Sequence, residues 1–540
     1  MKKIISAFIV FLICFVLQAE TYQILEAEFK TEGCGAAFFS YTKPYSIEKN
    51  VPVNKKKIFT SEEELIEYIK DYELKLYSLR AFEKITLDYT VQKNPDFPSD
   101  EIYLQLQKEL PAENFVKLSV NTKDSFHLLG VPYPKYDSNT GTVIKLKIKD
   151  TNFLGSLNAM SADINFSLLQ EKENQKPETN FGLTFSYDHP FHAGIFDYTW
   201  VNDYSINYTI GEKIPEWDAK TGLKIEFPVN NLSYTLEFYQ KAINNFDYTE
   251  YDDAIYFNEE VKFSVPIILH DLEQLGLLKY TPYIDASFNW DKNGINKENS
   301  DLSGPNLTLG HSISISRIDW SYNIRDGLSA SLSNKFAYNF QRNIVYPYID
   351  GEFKFYKSFE LFKSQKELFN RGGICADLFT FIYFVDYDNP YFGQDGTLIG
   401  GRLRGIRDEQ KFSASTLHPL WYACRPTSAI VLNLDFPYHI FSTNFTKSFL
   451  RYFNFDFQLS PFIDMALCYN KITNKIFDPK DGFYAGGLEV LVYPAKWAGF
   501  TVRGSVGLDI GRLIFSKYIN NDWRTDVSKF EISFGIGLHY

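Results

Sequence analysis

The stretch LKIEFPVNNLSYTLEF, residues 223–238, decides the architecture. Leu223, Ile225 and Phe227 alternate with Lys224 and Glu226. The turn-forming Pro228-Val229-Asn230-Asn231 follows, and Leu232, Tyr234, Leu236 and Phe238 alternate again with polar or smaller residues. Period-two alternation puts one kind of side chain on each face of a sheet, and two such runs around a tight turn predict a β-hairpin. The rhythm recurs in Phe181/Leu183/Phe185/Tyr187 and in Leu328/Ala330/Leu332. It closes the chain with Phe530, Ile532, Phe534, Ile536, Leu538 and Tyr540. Runs of about ten residues are what a tilted strand needs to cross a bilayer.

Composition points the same way. The 540 residues include 49 Phe and 37 Tyr, yet the mean hydropathy is only -0.24. The aromatics are interleaved with Asn, Ser, Lys and Asp, as strands with one lipid face and one wet face require. A soluble β-sandwich is the competing reading. Long alternating segments, aromatic apolar positions and tight turns alternating with long polar stretches favour a transmembrane antiparallel β-barrel. About 400 residues at roughly 25 per strand and connection predict on the order of 16 strands.

The N-terminus supplies the export route. Lys2 and Lys3 precede an apolar run from Ile4 to Leu17, and Leu17-Gln18-Ala19 offers a cleavage site, so residues 1–19 read as a secretory signal peptide. Residues 22–120 have a different grammar. YQILEAEF (22–29) reads as a strand, and Ser61-Glu62-Glu63-Glu64 has the form of a capping box. Leu65, Ile66, Ile69, Leu76 and Leu79 recur at helical spacing. Phe82/Ile85/Leu87/Tyr89 and Ile102/Leu104/Leu106 then predict two strands, making a small α+β domain. The prolines of GVPYPKYDSNTG make residues 121–140 read as a linker, with the barrel spanning 141–540.

Several functions are disfavoured. A net charge of −12 without a basic stripe argues against nucleic acid as a partner. The five cysteines form no CxxC pair. A Cys375–Cys424 disulfide is open, with unpaired thiols the favoured reading. His189 and His192 in DHPFH lack companions that would mark a metal site, and GxSxG, HExxH and P-loop motifs are absent. The reading is therefore no enzyme, no cofactor and no metal. Scattered Asp/His/Ser sites of barrel enzymes keep that class open, and a passive porin or surface adhesin is the main alternative.

One polar interval needs its own account: GGRLRGIRDEQ, residues 400–410. A long loop carrying Arg404 beside Gly405 can fold into a wide barrel and present a guanidinium to lumen acids, where bidentate pairing is strong. Gly405 permits the tight turn. Asp435 and Asp464 stand in strand-like, mainly apolar segments, where an acid facing lipid is costly, so both are expected to point inward.

With these residues in view, the chain resembles the BamA/TamA superfamily of outer-membrane assembly and translocation barrels. Leu403-Arg404-Gly405-Ile406 is similar to the family's Arg-Gly-aromatic loop signature, with Ile406 replacing the aromatic. Asp150, Asn152 and Gly155 in DTNFLG are similar to its barrel-opening motif, and the terminal strand to its targeting strand. The 22–120 domain is similar to one polypeptide-transport-associated (POTRA) domain, where BamA and TamA carry several. The resemblance implies an outer-membrane location with the N-terminal domain in the periplasm. It implies a latch of Arg404, Gly405, Asp435 and Asp464, and insertion or translocation of unfolded or secreted client proteins. Outer-membrane lipids, periplasmic chaperones and assembly lipoproteins are the further partners it implies.

Overall fold

The computed structural model describes residues 20–34, 41–95, 97, 111–137, 141–169, 178–230, 232–244, 255–291, 294, 304–360, 371–384, 402–406, 427–447, 449–470, 474–518 and 529–538. The chain divides into two compact units, residues 1–126 with 154–157, and residues 127–153 with 158–540. The predicted signal peptide, the Ile102–Leu106 strand, Cys424 and Tyr540 lie outside the described residues.

In the first unit the four-stranded sheet runs in the order Ile58–Phe59, Tyr22–Glu32, Asn114–Asp124, Phe82–Lys93. Tyr22–Glu32 and Asn114–Asp124 are parallel, and Phe82–Lys93 is antiparallel to the latter. Two helices, Pro44–Asn50 and Glu62–Ser78, lie between the strands in sequence. The longer helix starts as its cap predicts. Ser61 Oγ accepts from Glu64 N–H at 3.2 Å, while the Glu64 carboxylate accepts from Thr60 N–H at 2.8 Å, one residue earlier than a standard capping box. Leu65, Ile69, Tyr72 and Leu76 form its buried stripe and pack with Ile24, Phe59, Val116, Leu118 and Val120. The Tyr72 hydroxyl donates to the Val51 carbonyl at 2.9 Å, and burial raises its pKa. Leu65 is fully buried, so Leu65→Ala is expected to cost roughly 2–5 kcal/mol. Hydrogen exchange across residues 62–78 of the full chain measures that loss.

The reading of residues 121–140 as a linker is corrected over the described residues 121–137, which are largely strand. Asn114–Asp124 completes the small sheet, and Leu128–Asp137 is the first strand of the second unit, which therefore begins before residue 141. The misreading came from Pro132 and Pro134. Proline removes a ladder donor and usually argues against a strand, but a strand with one lightly used edge tolerates it.

The second unit is a closed barrel of 22 strand segments among the described residues. Glu178–Tyr187 and His189–Ala193 share one partner strand, as do Ile255–Ser264 and Ile267–Leu272, and Ser428–Asp435 and Tyr438–Ser442. Lys475–Ile476 and Phe483–Pro494 likewise share Phe455–Asn470. Merging these four interrupted pairs leaves 18 crossings of the wall, against the 16 or so predicted. Two-residue turns make the connections shorter than assumed: Val229 pairs with Leu232 and Ser321 with Ile324. Positive φ at Asn230 (56°), and at Tyr322 and Asn323 (50° and 60°), is what such turns demand.

The alternation predicted at 223–238 sorts the wall into two faces. Phe238, Leu332, Ile463, Leu488 and Ile532 are exposed, while the intervening Asp464 and Glu489 are buried. A closed sheet with an apolar outer face and polar interior is a membrane barrel. The closing strand Phe530–Ile536 carries Phe530, Ile532, Phe534 and Ile536, while Leu538 lies beyond its end.

Candidate functional site

The site is built on the second half of the wall, where five residues of the 400–410 stretch, 402–406, are described. Arg404 is 4 % exposed and Asp464 fully buried. The Arg404 Nε and Nη2 donate to Asp464 Oδ2 and Oδ1 at 3.0 and 2.8 Å, and the Arg404 backbone N–H donates to Oδ2 at 2.9 Å. Nη1 and Nη2 donate to Asp435 Oδ1 and Oδ2 at 2.8 and 3.3 Å. The guanidinium lies 3.8 Å from the Phe462 ring centroid, and Glu489 adds a third acid at 3.5 Å. Every face of the fork is used, which is why arginine and not lysine suits the position.

The strands explain the convergence. Asp435 ends Ser428–Asp435, Asp464 sits mid-way in Phe455–Asn470, and Glu489 in Phe483–Pro494; Asp435 pairs with Phe462, and Ser460 with Glu489. Three neighbouring strands thus aim acids at one point. Leu403 and Ile406 seal it from the side, packing with Phe381, Val431, Phe483 and Ala485. Ile406 is a fully engaged core residue, 3 % exposed.

Gly405 (φ 90°) makes the turn and the close approach together. A Cβ there would stand 2.5 Å from Gly507 C and Leu508 N, and one on Gly507 would stand 2.5 Å from Gly405 N. Two backbones touch here without a side chain between them. The Gly405 N–H faces Glu531 Oε2 at 3.3 Å, on the closing strand.

A second arginine was not singled out in the sequence. Arg402 Nη1 donates to Glu352 Oε1 at 3.0 Å and lies 3.6 Å from Asp377 Oδ2, its guanidinium is 3.7 Å from the Phe379 ring centroid, and its carbonyl accepts from Asn433 Nδ2 at 2.6 Å. Glu352 and Asp377 lie on Ile344–Glu360 and Arg371–Tyr383. Arg402, Leu403 and Arg404 therefore tie one loop tip to five neighbouring strands. The signal was present as a second arginine two residues before Arg404. Glu489, an acid within the apolar run GLEVLVYP, carried the same signal as Asp435 and Asp464, whereas Gly507 and Phe462 carried none, since each looks like an ordinary strand residue.

The DTNFLG motif lies elsewhere. It follows the second crossing, Gly141–Asp150, and so does not open the barrel. Asp150 Oδ1 accepts from Asn152 N–H at 2.9 Å and lies 2.6 Å from His127 Nδ1. Gly155 (φ 71°) belongs to the first unit, where a Cβ would stand 2.1 Å from the Tyr41 carbonyl oxygen. His189 and His192 do not converge on a ligand set: His189 Nδ1 lies 3.0 Å from the Tyr187 hydroxyl, and His192 Nδ1 3.0 Å from Asp197. No cluster of three or more metal-ligating side chains occurs among the described residues. Cys375 and Cys468 are buried and in no disulfide.

Fold and site define the class: a closed membrane β-barrel following a small α+β unit, with a loop tip bound by arginine to acids of the wall. No family model matches the sequence, and no curated protein matches it. Among solved structures, the chain is similar to CdiB from Acinetobacter baumannii at 12 % identity and TM-score 0.45, covering 96 % of this chain and 74 % of that one. CdiB from Escherichia coli aligns at 8 % identity and TM-score 0.41, covering 95 % and 76 %. BamA from Haemophilus ducreyi lacking POTRA domains 1-3 aligns at 13 % identity and TM-score 0.34, covering 96 % and 85 %.

Proposed function

We propose that the protein is an outer-membrane barrel that inserts or translocates other proteins, with the 22–126 unit in the periplasm receiving the client. The carrying observation is the Arg404 site: a porin needs no loop tip bound by a buried guanidinium to two acids. The proposed work is mechanical, without bond chemistry. Arg404, Gly405, Asp435 and Asp464 form a latch that keeps the wall in its competent shape.

The client is an unfolded or secreted polypeptide. Strand Phe82–Lys93 is an outer strand of the small sheet, with Thr86, Asp88, Thr90 and Gln92 exposed. An extended client can add there as a further strand, its main chain supplying the hydrogen bonds. The seam lies between Leu128–Asp137 and Phe530–Ile536, and not at residue 141. Pro132 and Pro134 share one edge of the first strand, whose other edge is paired residue by residue with Gly141–Asp150. Two missing donors on the seam edge make that junction easier to part.

Deleting residues 22–120 tests the reading. Reconstituted in vesicles with urea-unfolded barrel proteins as clients, the shortened chain is expected to lose insertion or transport altogether. A shortened chain that still conducts ions steadily, in a full-length background showing no client insertion, favours a passive porin and overturns the proposal.

A further inference from the structure

We propose that residues 443–454 form a membrane-interface anchor, placing Phe449, Leu450 and Phe453 among phospholipid acyl chains and Lys447 and Arg451 on anionic headgroups. The proposal rests on the barrel spanning a membrane and not on what the barrel does.

The segment reads TNFTKSFLRYFN. It joins Tyr438–Ser442 to Phe455–Asn470 at the same end of the wall as the two-residue turns near Asn230 and Asn323. Where those turns merely reverse the chain, this one carries four aromatic residues, a leucine and two cations, and has no acid in a chain of net charge −12. Phe449 is 71 % exposed, Phe453 54 % and Leu450 42 %. Lys447 and Arg451 are exposed as well.

Among the described residues of the segment, hydrogen bonds tie its two ends together and fold its tip. At the neck Thr443 N–H donates to the Phe455 carbonyl at 2.9 Å, and Phe455 N–H to Thr443 Oγ1 at 2.8 Å. Asn454 clasps Phe445, its Oδ1 accepting from Phe445 N–H at 2.6 Å and its Nδ2 donating to the Phe445 carbonyl at 3.3 Å. At the tip Arg451 N–H donates to the Lys447 carbonyl at 3.0 Å, within a 3-10 turn over Leu450–Phe453. Each backbone group bonded within the loop is one that needs no water when the segment approaches the bilayer. The Phe449 and Phe453 rings stand 5.2 Å apart on this frame.

Continuity with the lipid-facing wall names the occupant. Below the neck, exposed Phe441 stacks on Phe457 with centroids 5.1 Å apart, so the apolar outer face runs into the loop. Aromatic bodies with nearby cations match the boundary between acyl chains and headgroups, and two cations without an acid select anionic lipid.

The test places the photo-crosslinking residue p-benzoyl-phenylalanine at position 449 of the full chain, in vesicles of phosphatidylethanolamine with or without phosphatidylglycerol. Adducts are identified by mass spectrometry. Phospholipid adducts at 449 are expected, with phosphatidylglycerol enriched on the order of fivefold over its share of the bilayer, and that enrichment is expected to vanish in Lys447→Gln/Arg451→Gln. Unenriched phospholipid adducts overturn the headgroup half of the proposal. Adducts to the chain itself, to a second copy, or to solvent overturn all of it. The same probe at Leu332, exposed on Ile324–Asn339, reports the wall alone. Lipid labelling at 332 but not 449 rejects the anchor, and failure at both rejects the membrane barrel beneath it.

Discussion

Arg404→Ala is expected to destabilise the barrel by roughly 3–5 kcal/mol, the cost of removing one partner from a buried ion pair, and to abolish client insertion. The magnitude follows from what remains. Asp464 is fully buried and loses two side-chain donors, Asp435 loses two, and Glu489 keeps Arg503 at 3.6 Å. The backbone N–H that serves Asp464 is kept by alanine only if the loop stays seated, and the side chain that seats it is gone. Urea titration in detergent, or the temperature at which the folded band converts on a gel, measures the loss. Arg404→Lys keeps the charge but not the fork and should fall between the two. Adding Asp435→Asn and Asp464→Asn to Arg404→Ala should recover part of the stability and none of the insertion, because it removes the repulsion without restoring the loop. Full activity in the alanine variant would sink the latch.

How much of this was legible depends on whether the signal is periodic or three-dimensional. The hairpin at 223–238 and the helix at 62–78 are local facts: alternation and capping fix them before any packing occurs. Asp435 and Asp464 were readable because charge in an apolar, strand-like context is expensive and has to be answered by another charge, and Arg404 beside Gly405 in a long polar interval was the cation able to answer it. Residues 121–140 were misread for the converse reason. A local penalty, two prolines, was outweighed by position at the barrel's seam, which no window of sequence contains. Arg402 was visible, yet only the sheet order brings Glu352 and Asp377 beneath it. Gly507 was invisible: within VRGSVGLD it is an ordinary strand glycine until the loop tip lands on it.

The two arginines divide the loop's attachment in a way that sharpens the latch. Arg404 holds strands that follow the loop in sequence, whereas the Arg402 side chain holds the two that precede it. Losing Arg402 leaves Asp435 and Asp464 fully paired, so it frees one side of the tip without exposing the buried acids. The hydrophobic seat of Leu403 and Ile406 persists in either case.

Gly507→Ala carries the second large effect, because a single methyl group there meets the backbone of the loop. The added Cβ would stand 2.5 Å from Gly405 N, 2.6 Å from Gly405 Cα and 2.7 Å from Arg404 C. Ordinary carbon contacts need about 3.5–4 Å, so the tip must lift by roughly 1 Å. The Gly405 backbone cannot absorb the shift by turning, since φ 90° already lies in the region that side chains shun and the Gly507 chain is fixed in its ladder. Lifting the tip draws Arg404 off contacts of 2.8 Å to both acids, and charge-assisted hydrogen bonds weaken steeply beyond their short optimum. Insertion should therefore fall toward that of Arg404→Ala. Stability should fall less, because the guanidinium remains to neutralise the site. Leu508→Ala, at the adjacent exposed position on the outer face, supplies the comparison: it trims the same strand without touching the loop and should leave insertion near normal. Equal activity in the two variants would show that the loop's seat on Gly507 has no part in function.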